Sequence, residues 1–332
     1  MAGSEKCYLV TGGTGFIGRR LVALLTGRGH VVHVLSRDPA KKELFSSPLV
    51  RFFTGDITDT GALGRAMEGC DGIYHLAAYA KGWAPDEKPY YEYNVTGTEH
   101  VLRLAAERGA QRVLFCSTAG VINPSSDTPA DEETPRTVPF FTAYERSKDK
   151  AEQLVRAYAG RGSDVVIVNP SRVFGPGPLV ESNSVTKIID LFRRGRWHIL
   201  PGNGRSYGNY VYVDDVAEGM ILAMERGRTG ERYILGGDNL TYLDMFAALR
   251  RATGRHPFLV PLPLPLMLFL SRLMMAGYHL LRLRPLITPD WVRRYMYDWK
   301  LSTAKAQKEL GYHPLSFADA LDRTLSYLTG QS

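Results

Sequence analysis

Residues 11–18, Thr-Gly-Gly-Thr-Gly-Phe-Ile-Gly, decide the fold of this 332-residue chain. An apolar run at residues 7–10 precedes them and an amphipathic run at residues 19–27 follows, which gives the order strand, glycine turn, helix. Glycines let the backbone turn tightly and approach a pyrophosphate, which then lies at the positive end of the helix. The stretch therefore predicts a dinucleotide-binding unit. The residues expected to contact the dinucleotide are Gly12, Thr14, Gly15, Phe16, Ile17 and Gly18.

The end of the second predicted strand, residues 31–35, bears on which dinucleotide binds. When NAD is bound, an acidic residue at this strand end holds the adenosine ribose. Here Ser36 comes first and Arg37 follows, and a guanidinium can meet a 2′-phosphate. Asp38 lies two positions late and precedes Pro39, so it is expected to open the next turn. The pattern favours NADP(H) over NAD(H), and the alternative for Arg37 is a solvated loop charge.

Three further predicted strands, at residues 51–54, 72–78 and 112–116, end in small or polar residues. Open α/β sheets bind cofactors outside the carboxyl ends of their strands, so these ends are candidate parts of the site. His75 lies inside its strand and is expected to be a packed core histidine. For the hydroxyls of the last strand the alternative is ordinary strand-end hydrogen bonding. The strand-end candidates are Asp56, Ile57, Ala77, Ala78, Ser117 and Thr118.

Tyr144 and Lys148 lie one helical turn apart near the start of a predicted helix, and so project from the same face. A nearby cation favours the phenolate, so Lys148 is expected to lower the pKa of Tyr144 and make it an acid or base near neutral pH. Taken alone, such a pair is more often a chance pairing on a solvated helix. Its agreement with the nucleotide-binding unit gives it weight.

The remaining predicted helices and strands lie at residues 89–108, 164–168, 185–194 and 210–213. We expect an α/β fold, a Rossmann-type doubly wound parallel sheet with a smaller, mostly helical C-terminal substrate lobe. The dinucleotide-binding domain is expected at residues 1–170, with 210–225 returning to it, and the substrate lobe at residues 171–330. Asp214 or Asp215 is the candidate N-cap of the helix that follows residue 213.

The composition is that of a soluble globular protein, with 44% apolar and 23% charged residues. Cys7, Cys70 and Cys116 have unrelated spacings, so neither a metal site nor a disulfide is predicted and a reducing compartment is indicated. A strand is predicted within a few residues of Met1, which leaves no room for a signal peptide. The protein is therefore expected to be cytoplasmic.

The net charge of +7 is concentrated near the C-terminus. From Arg251 onward there are eleven Lys/Arg and five Asp/Glu residues, so +6 of the charge lies there. This charge accompanies the most apolar segment of the chain and no nucleic-acid-binding motif, which argues against a nucleic-acid partner. A basic, apolar lobe fits an anionic substrate or a membrane surface better.

The apolar segment at residues 258–283 allows three interpretations. Its predicted helix, residues 266–281, carries Arg272 as its one charged residue and is shorter than the roughly 20 residues that a membrane-spanning helix needs. The first interpretation is a buried helix of the lobe, and the second is an apolar wall or lid over the substrate. The third is peripheral membrane contact by residues 258–284, with Arg272, Arg282 and Arg284 at the headgroups.

Together these motifs resemble the extended short-chain dehydrogenase/reductase family, which includes nucleotide-sugar epimerases, dihydroflavonol reductases and 3β-hydroxysteroid dehydrogenases. From residue 7 to about 217 the matching motifs are TGGTGFIG, the HLAA and FCSTAG strand ends, Tyr-x-x-x-Lys and NPSRVFGPG, and a terminal match follows at residues 302–314. The most similar branch is that of the dihydroflavonol reductases and 3β-hydroxysteroid dehydrogenases. The layout also resembles that of bacterial hopanoid-associated epimerases.

This resemblance implies the roles of the catalytic residues. Tyr144 would be the general acid/base, and Lys148 would lower its pKa and hold the nicotinamide ribose. Thr118 would polarise the carbonyl group, with Ser117 as the neighbour to test beside it. Asn94 would support the site from the helix that contains it.

The resemblance also implies features around the catalytic residues. Pro170 and Val173 would border the nicotinamide, and the chemistry would need no metal. Family members often dimerise through a four-helix interface, so a homodimer through helices near residues 90–108 and 142–160 is expected.

The substrate is the least determined part of the prediction. Nucleotide-sugar enzymes of the family carry an Arg-Asp pair whose arginine holds the diphosphate, and here these positions are Gly208 and Asn209. Arg205 lies nearby and can substitute, while Trp83 and Tyr207 are the other candidate substrate residues. We expect NADP(H)-dependent interconversion of a ketone or aldehyde and an alcohol on an apolar small molecule. The alternatives are a sugar or nucleotide-sugar epimerase or dehydratase, and a cofactor-sensing binding protein, which the Tyr-Lys pair disfavours.

Overall fold

The strands of the structure, a computed structural model that describes residues 5–110 and 112–330, form three sheets. In chain order they are β1 (Cys7–Thr11), β2 (Val31–Ser36), β3 (Val50–Thr54), β4 (Gly72–His75), β5 (Arg112–Cys116), β6 (Val165–Pro170), β7 (Arg172–Phe174), β8 (Ile199–Pro201), β9 (Tyr207–Tyr212), β10 (Arg232–Leu235), β11 (Asp238–Thr241) and β12 (Val260–Leu262). The largest sheet is parallel and has seven strands in the order β10-β6-β5-β4-β1-β2-β3.

The helices follow the strands in the alternation expected of an α/β fold. They are α1 (Phe16–Gly27), α2 (Thr60–Met67), α3 (Lys88–Tyr91), α4 (Gly97–Glu107), α5 (Ala143–Ala159), α6 (Ser184–Arg193), α7 (Val213–Arg226), α8 (Tyr242–Thr253), α9 (Leu264–Leu281), α10 (Pro289–Arg294), α11 (Ala304–Leu310) and α12 (Phe317–Thr329). A π-helical turn at Glu92–Thr96 joins α3 to α4. The predicted fold class, a doubly wound parallel sheet, is confirmed.

The strand order reverses between β1 and β4, which lie side by side although two strands separate them in sequence. Such a reversal opens a crevice at the carboxyl ends of the two strands, where cofactors bind in this class of sheet. The glycine turn after β1 and the segment after β4 both enter this crevice. The fold thus places the predicted cofactor residues and the end of β5 on one edge.

Both faces of the large sheet are covered, which explains why its strands are continuous apolar runs. Helices α1, α7 and α11 pack on one face, in a core that includes Leu21 and Met220. Helices α2, α4 and α5 pack on the other face, around residues such as Leu63 and Val155. Strand β6, which lies between β10 and β5, is accordingly buried along its whole length.

The C-terminal lobe is built on two small sheets. Strands β11, β9 and β7 form one of them, and β12 pairs with β8 in the other. Helices α6, α8 and α12 close a separate core around Phe192, Phe246 and Phe317. The carboxyl end of the large sheet therefore faces a second layer, and the crevice between them is where a substrate can meet the cofactor.

Several predicted boundaries differ from the structure. Strand β4 ends at His75, before the predicted residue 78, and β10 joins the large sheet although the sequence places residues 226–330 in the lobe.

The predicted N-cap at Asp214 or Asp215 is wrong, because α7 begins at Val213 and its cap position is Tyr212. Asp214 instead forms a bidentate ion pair with Arg20, at 2.5 and 2.7 Å, and Asp215 accepts a hydrogen bond from the Leu315 backbone N–H.

The first interpretation of the apolar segment, a buried helix, is also wrong. Helix α9 has 18 residues and a mean hydropathy of 1.4, but only 11% of it is buried. Its buried residues are Met267 and Ser271. By length and composition alone it would suffice to cross a membrane. The interpretations that remain are a wall over the substrate and a membrane contact.

Candidate active site

The glycine turn between β1 and α1 can form only because its glycines lack side chains. Gly12 has φ +73, and a Cβ there would lie 2.7 Å from the Ala77 backbone nitrogen. At Gly18 a Cβ would collide with the Gly12 carbonyl oxygen. Gly15 occupies the N-cap of α1 and has no side chain to bond the first N–H groups of the helix. These groups remain available to an anion, so the turn fits the pyrophosphate of a dinucleotide.

The predicted adenosine end of the site lies where β2 and β3 end. The Arg37 side chain is 69% exposed, its Nε lies 3.5 Å from Asp56 Oδ2, and it donates a hydrogen bond to the Tyr93 hydroxyl. Asp38 caps the next turn by accepting a hydrogen bond from the Ala40 N–H, as expected. Asp56 accepts a hydrogen bond from the Thr58 N–H. Arg37 is thus accessible to a phosphate, although the Asp56 carboxylate beside it opposes anion binding.

The other predicted cofactor residues lie around the same crevice. Ala77 donates its N–H to the Thr11 hydroxyl at 3.3 Å, which ties the segment after β4 to the end of β1. Ala78, which follows it, is half-buried, whereas Ile57 is buried. Pro170 ends β6, and Val173 on β7 is 8% exposed and packs in the same core as Phe16. Val173 therefore contributes mainly packing between the glycine turn and the lobe.

The start of α5 fixes the position of Tyr144 and Lys148. Thr142 accepts a hydrogen bond from the Glu145 N–H, and the Glu145 carboxylate accepts one from the Thr142 N–H, which is a capping box. This starts the helix at Ala143, so that Tyr144 lies in its first turn and Lys148 one turn later. Lys148 is buried, and its Nζ donates a hydrogen bond to the Cys116 carbonyl oxygen at 2.7 Å.

The protonation of this pair differs from the prediction. Burial raises the pKa of Tyr144, with a further contribution from Cys116, while the neighbouring Thr118 hydroxyl acts in the opposite direction. Burial lowers the pKa of Lys148 from its ordinary value to about 8. Lys148 was expected to lower the Tyr144 pKa, but burial is the largest influence on this pKa and raises it. Tyr144 is therefore a protonated phenol near neutral pH, which is the form that can donate a proton.

The two hydroxyls that follow β5 have different surroundings. Thr118 is half-buried, its Oγ1 accepts a hydrogen bond from the Gly120 N–H at 3.1 Å, and it neighbours the Tyr144 hydroxyl. Its own O–H remains able to donate to a ligand. Ser117 is buried, and its Oγ has no hydrogen-bond partner among the residues that the structure describes. The geometry favours Thr118 as the second donor to a carbonyl oxygen.

Asn94 lies in the π-helical turn and connects two parts of the site. Its amide nitrogen donates to the Tyr79 carbonyl oxygen and to the Ser147 hydroxyl, and its amide oxygen accepts the Tyr79 N–H at 2.7 Å. The amide thereby holds the segment after β4 against the catalytic helix. Asn94 is a positioning residue in this structure, and π-helical turns of this kind are frequent at functional sites.

His75 behaves as predicted for a core histidine. Its Nδ1 lies 2.7 Å from the Thr11 hydroxyl and its Nε2 lies 3.0 Å from the Thr98 hydroxyl. Burial, with the charge of Lys148, lowers the pKa of His75 to about 3, so the ring is neutral. Both ring nitrogens are occupied, and His75 has no free atom for catalysis.

Two half-buried arginines, which the sequence did not predict, lie behind the site. Arg294 on α10 places its Nε 3.1 Å from the Glu145 carboxylate, next to Tyr144 in sequence. Arg172 donates hydrogen bonds to the hydroxyls of Tyr210 and Tyr242 at 3.1 and 3.0 Å. Residues 145 and 294 are far apart in the chain and belong to no motif, so local patterns carried no signal for their contact.

The candidate substrate residues divide into two groups. Trp83 packs edge-to-face on Tyr278 of α9, with ring centroids 4.5 Å apart. Its neighbour Gly82 accepts a hydrogen bond from Trp291 of α10. Tyr207 begins β9 and lies 5.5 Å below the ammonium group of Lys300, whereas Arg205 is exposed in the preceding turn. The segment around Trp83 is thus held by aromatic contacts with α9 and α10.

The positions that hold a diphosphate in nucleotide-sugar enzymes are used differently here. Asn209 is buried and bonds through both ends of its amide to Gly237, and also to Asn239. A side chain at Gly208 would collide at its first carbon with the Arg172 guanidinium. Asn209 therefore braces the lobe, and an arginine at position 208 would require the Arg172 guanidinium to move from its place beside Tyr210 and Tyr242.

Three metal-binding side chains meet away from this site, although the cysteine spacings predicted no metal site. Cys7 Sγ lies 3.6 Å from Cys70 Sγ, which lies 3.3 Å from His33 Nδ1. The three could hold a metal ion by their mutual distances. Cys7 begins β1 and Cys70 precedes β4, so the cluster is at the amino end of the sheet, opposite the crevice. It has no part in the chemistry of Tyr144.

Comparison with known proteins agrees with this geometry. The sequence profile described as the NAD dependent epimerase/dehydratase family matches residues 8–236. A protein of Synechocystis sp. with the provisional name dihydroflavonol 4-reductase is 34% identical over 324 residues, which cover 95% of this chain and 92% of that protein. The 3 beta-hydroxysteroid dehydrogenase/Delta 5-->4-isomerase of Mycobacterium tuberculosis is 30% identical over 339 residues, 96% of this chain and 89% of the relative.

A solved structure extends the comparison to a cofactor-bound protein. The UDP-glucose 4-epimerase of Thermus thermophilus in complex with NAD superposes with a TM-score of 0.77 at 25% identity, over 98% of this chain and all of the other. The matched region contains the glycine turn, the Tyr-Lys pair and the lobe.

Proposed function

Because this chain belongs to the NAD dependent epimerase/dehydratase family and is an NAD(P)-dependent oxidoreductase, we propose that it interconverts a ketone and a secondary alcohol on an apolar substrate. The observation that carries the choice of substrate is at positions 208 and 209. Gly208 leaves space that the Arg172 guanidinium fills, and the Asn209 amide is consumed by Gly237 and Asn239. A diphosphate would find no bidentate clamp there.

The names of the relatives support the same substrate class. A dihydroflavonol and a 3β-hydroxysteroid are both polycyclic molecules with a secondary alcohol, and neither carries a phosphate. The aromatic contacts of Trp83 with Tyr278, beside the site, suit such a molecule. The epimerase alternative would have to hold its diphosphate with Arg205, whose side chain is exposed in the turn before β9. One exposed arginine replaces a built clamp poorly, so this alternative is not favoured.

The residues of the site supply acid/base and electrostatic catalysis. A bound nicotinamide supplies or accepts the hydride. In the direction of reduction, negative charge develops on the substrate oxygen, and the Tyr144 phenol donates its proton there while the Thr118 hydroxyl donates a hydrogen bond. Burial keeps Tyr144 protonated for this step. Lys148, charged below its pKa of about 8, stabilises the phenolate that remains and would hold the cofactor's ribose.

We also propose that NADP(H) is preferred to NAD(H). Arg37 is exposed at the end of β2, where a 2′-phosphate would lie, and no carboxylate precedes it at the strand end. The Asp56 carboxylate lies 3.5 Å from the Arg37 guanidinium and partly neutralises its positive charge. This weakens the attraction of Arg37 for a 2′-phosphate. A moderate preference is therefore expected.

The test of the function is cofactor consumption by the purified protein. Loss of NADPH absorbance is followed with aryl, alicyclic and steroidal ketones, and product formation is followed with nucleotide sugars alongside. Stoichiometric loss of NADPH with an apolar ketone supports the proposal. Isomerisation of a nucleotide sugar without net loss of NADPH would overturn it.

A further inference from the structure

The outward side of α9 is apolar, which is unusual for a helix at the surface of a soluble protein. Leu266, Phe269, Leu273 and Leu280 recur at a spacing of three, four and seven residues, so they lie along one stripe of the helix. Phe269 is 61% exposed, Leu273 59% and Leu280 83%. Ser271 and Met267 on the other side pack against the protein.

Neighbouring segments extend this stripe into a patch. We call it the α9 patch, and its exposed large apolar residues are Phe258, Val260, Leu266, Phe269, Leu273, Leu280, Leu281, Leu283 and Leu286. Ile199, on the strand that pairs with β12, adjoins it. These nine are more than half of the sixteen exposed large apolar residues of the described chain, so the patch is a concentration and not the usual scatter.

The stretch of chain that contains the α9 patch contributes basic residues and no acidic ones. No acidic residue occurs between Asp244 and Asp290, whereas this interval contains six arginines, at positions 250, 251, 255, 272, 282 and 284. Arg272 and Arg282 are exposed on and beside the helix, and Arg284 pairs with Glu181. An apolar stripe flanked by arginines complements a surface that offers hydrocarbon beneath anionic headgroups.

Both ends of α9 are fastened to the same globular body. Before the helix, β12 pairs with β8. After it, Arg284 pairs with Glu181 and the chain enters α10, whose Arg294 contacts Glu145 of the catalytic helix. A spanning helix would carry its two ends to opposite sides of a bilayer, which these attachments forbid. The helix can enter a bilayer only lengthwise, along the interface.

The inner side of α9 leads towards the active site. Tyr278 packs on Trp83, and the segment that carries Trp83 follows β4 at the edge of the cofactor crevice. From Trp83 the chain continues to Asn94, which bonds to Ser147 of the catalytic helix. One helix thus joins the exposed patch to the substrate side of the site.

We propose that the α9 patch docks the enzyme onto an anionic phospholipid bilayer, with α9 lying in the interface and the substrate entering from the lipid. This inference rests on the proposed function only for its last step, the entry of an apolar substrate. The docking itself needs the apolar stripe and the arginines alone.

The experiment is flotation of the full-length protein with vesicles of phosphatidylcholine containing phosphatidylglycerol, and with vesicles of phosphatidylcholine only. The wild-type protein floats with the anionic vesicles and does so less at high salt. Phe269→Glu with Leu273→Glu lowers the fraction bound by roughly tenfold or more, because two carboxylates enter the stripe. Leu44→Glu, at an apolar residue 41% exposed elsewhere on the surface, leaves binding unchanged.

Folding and function are controlled on the same samples. The double variant matches the wild type in thermal melting, in NADPH binding and in turnover of a water-soluble ketone. Its turnover of a ketone dissolved in anionic vesicles falls.

Absence of wild-type flotation, or equal flotation of the double variant, overturns the proposal. A dimer that the double substitution dissociates, without vesicle binding, would overturn it too and assign the patch to a second copy of the chain. Flotation without turnover of any ketone would overturn the proposed function and leave the docking intact.

Discussion

Helices α1 and α9 are both rich in apolar residues, but they meet opposite surroundings. Helix α1 buries Phe16, Leu21, Val22 and Leu25 between the large sheet and α7. Helix α9 is longer and leaves most of its apolar side chains exposed. Apolar content therefore predicts burial only where the fold supplies a covering surface. For α1 that surface is the sheet, and for α9 we propose that it is a bilayer.

The two helices also separate two tasks. We propose that the region around α1 binds the cofactor beside the catalytic residues, whereas α9 has no polar group directed at the reacting atoms among the described contacts. Changes in the first region should alter chemistry without altering lipid binding, and changes in the second should do the reverse. A variant in either region that altered both properties would contradict this separation.

The largest effect is expected from Tyr144→Phe. Without the phenol no group donates a proton to the substrate oxygen, so turnover should fall by roughly 10³-fold or more. NADPH affinity, measured by fluorescence titration, should change little, and vesicle flotation should equal that of the wild type. Tyr327→Phe, at a tyrosine 41% exposed on α12, is the matched control. Retention of turnover in Tyr144→Phe would remove Tyr144 from the chemistry.

Thr118→Ala is expected to have the next largest effect. Loss of one donor to the developing oxyanion should lower kcat by roughly 10²-fold. Thr118→Ser keeps the hydroxyl and should recover most of the activity. Ser117→Ala, at the buried neighbour, should cost less than Thr118→Ala in the same steady-state assay. The opposite order would assign the carbonyl contact to Ser117.

Lys148→Met tests the cost of burying a charge, in contrast to the α9 variants, which test apolar side chains that are exposed. Because the pKa of Lys148 falls from 10.5 to about 8 on folding, the charged form destabilises the folded state below pH 8. This penalty is relieved as pH rises from about 8 to 10.5, where the unfolded chain holds the proton and the folded chain does not. Lys148→Met should therefore stabilise the protein at pH 7, by about 2 kcal/mol after allowing for the lost hydrogen bond to Cys116.

The advantage of Lys148→Met should shrink as pH rises above 8 and be gone before pH 10.5, where only the lost hydrogen bond to Cys116 remains, as followed by denaturant unfolding across this range. Its turnover should be lost at every pH. The α9 variant Phe269→Glu with Leu273→Glu should show no comparable gain or pH dependence, because its side chains are exposed in the folded state as well. A pH-independent difference for Lys148→Met would mean that folding does not shift the pKa of Lys148.

The sequence was a sufficient guide to the regular part of the molecule. The glycine turn at residues 11–18 needs its glycines for steric reasons, and strands such as β6 are continuous apolar runs, so both are visible locally. Tyr144 and Lys148 are one turn apart, and their shared face follows from the helix alone. Asp214 was misplaced as an N-cap because Arg20, 194 residues away in the chain, pairs with it.

Contacts between distant residues account for the remaining failures. Arg294 meets Glu145 and Cys7 meets Cys70 only after the chain has folded, and neither pair belongs to a spaced motif. The direction of the Tyr144 pKa was mispredicted because burial outweighs the neighbouring cation, and burial is a property of the whole fold. For α9 the hydropathy was correctly recognised, but whether another part of the chain covers it could not be decided from the segment itself.

The smallest effect is expected from Arg37→Ala. Its control is Arg272→Ala, which removes an arginine from the α9 patch and leaves the cofactor region unchanged. Loss of the guanidinium should weaken NADPH by roughly tenfold and NADH by much less, since only NADPH carries the 2′-phosphate. The Asp56 carboxylate beside Arg37 is the reason that the effect is moderate. Arg272→Ala, at an exposed arginine of α9, should leave both cofactor affinities unchanged and weaken flotation on anionic vesicles. Equal weakening of NADPH and NADH by Arg37→Ala would remove the argument for NADP(H), and an effect of Arg272 on cofactor affinity would show that the two regions are not separate.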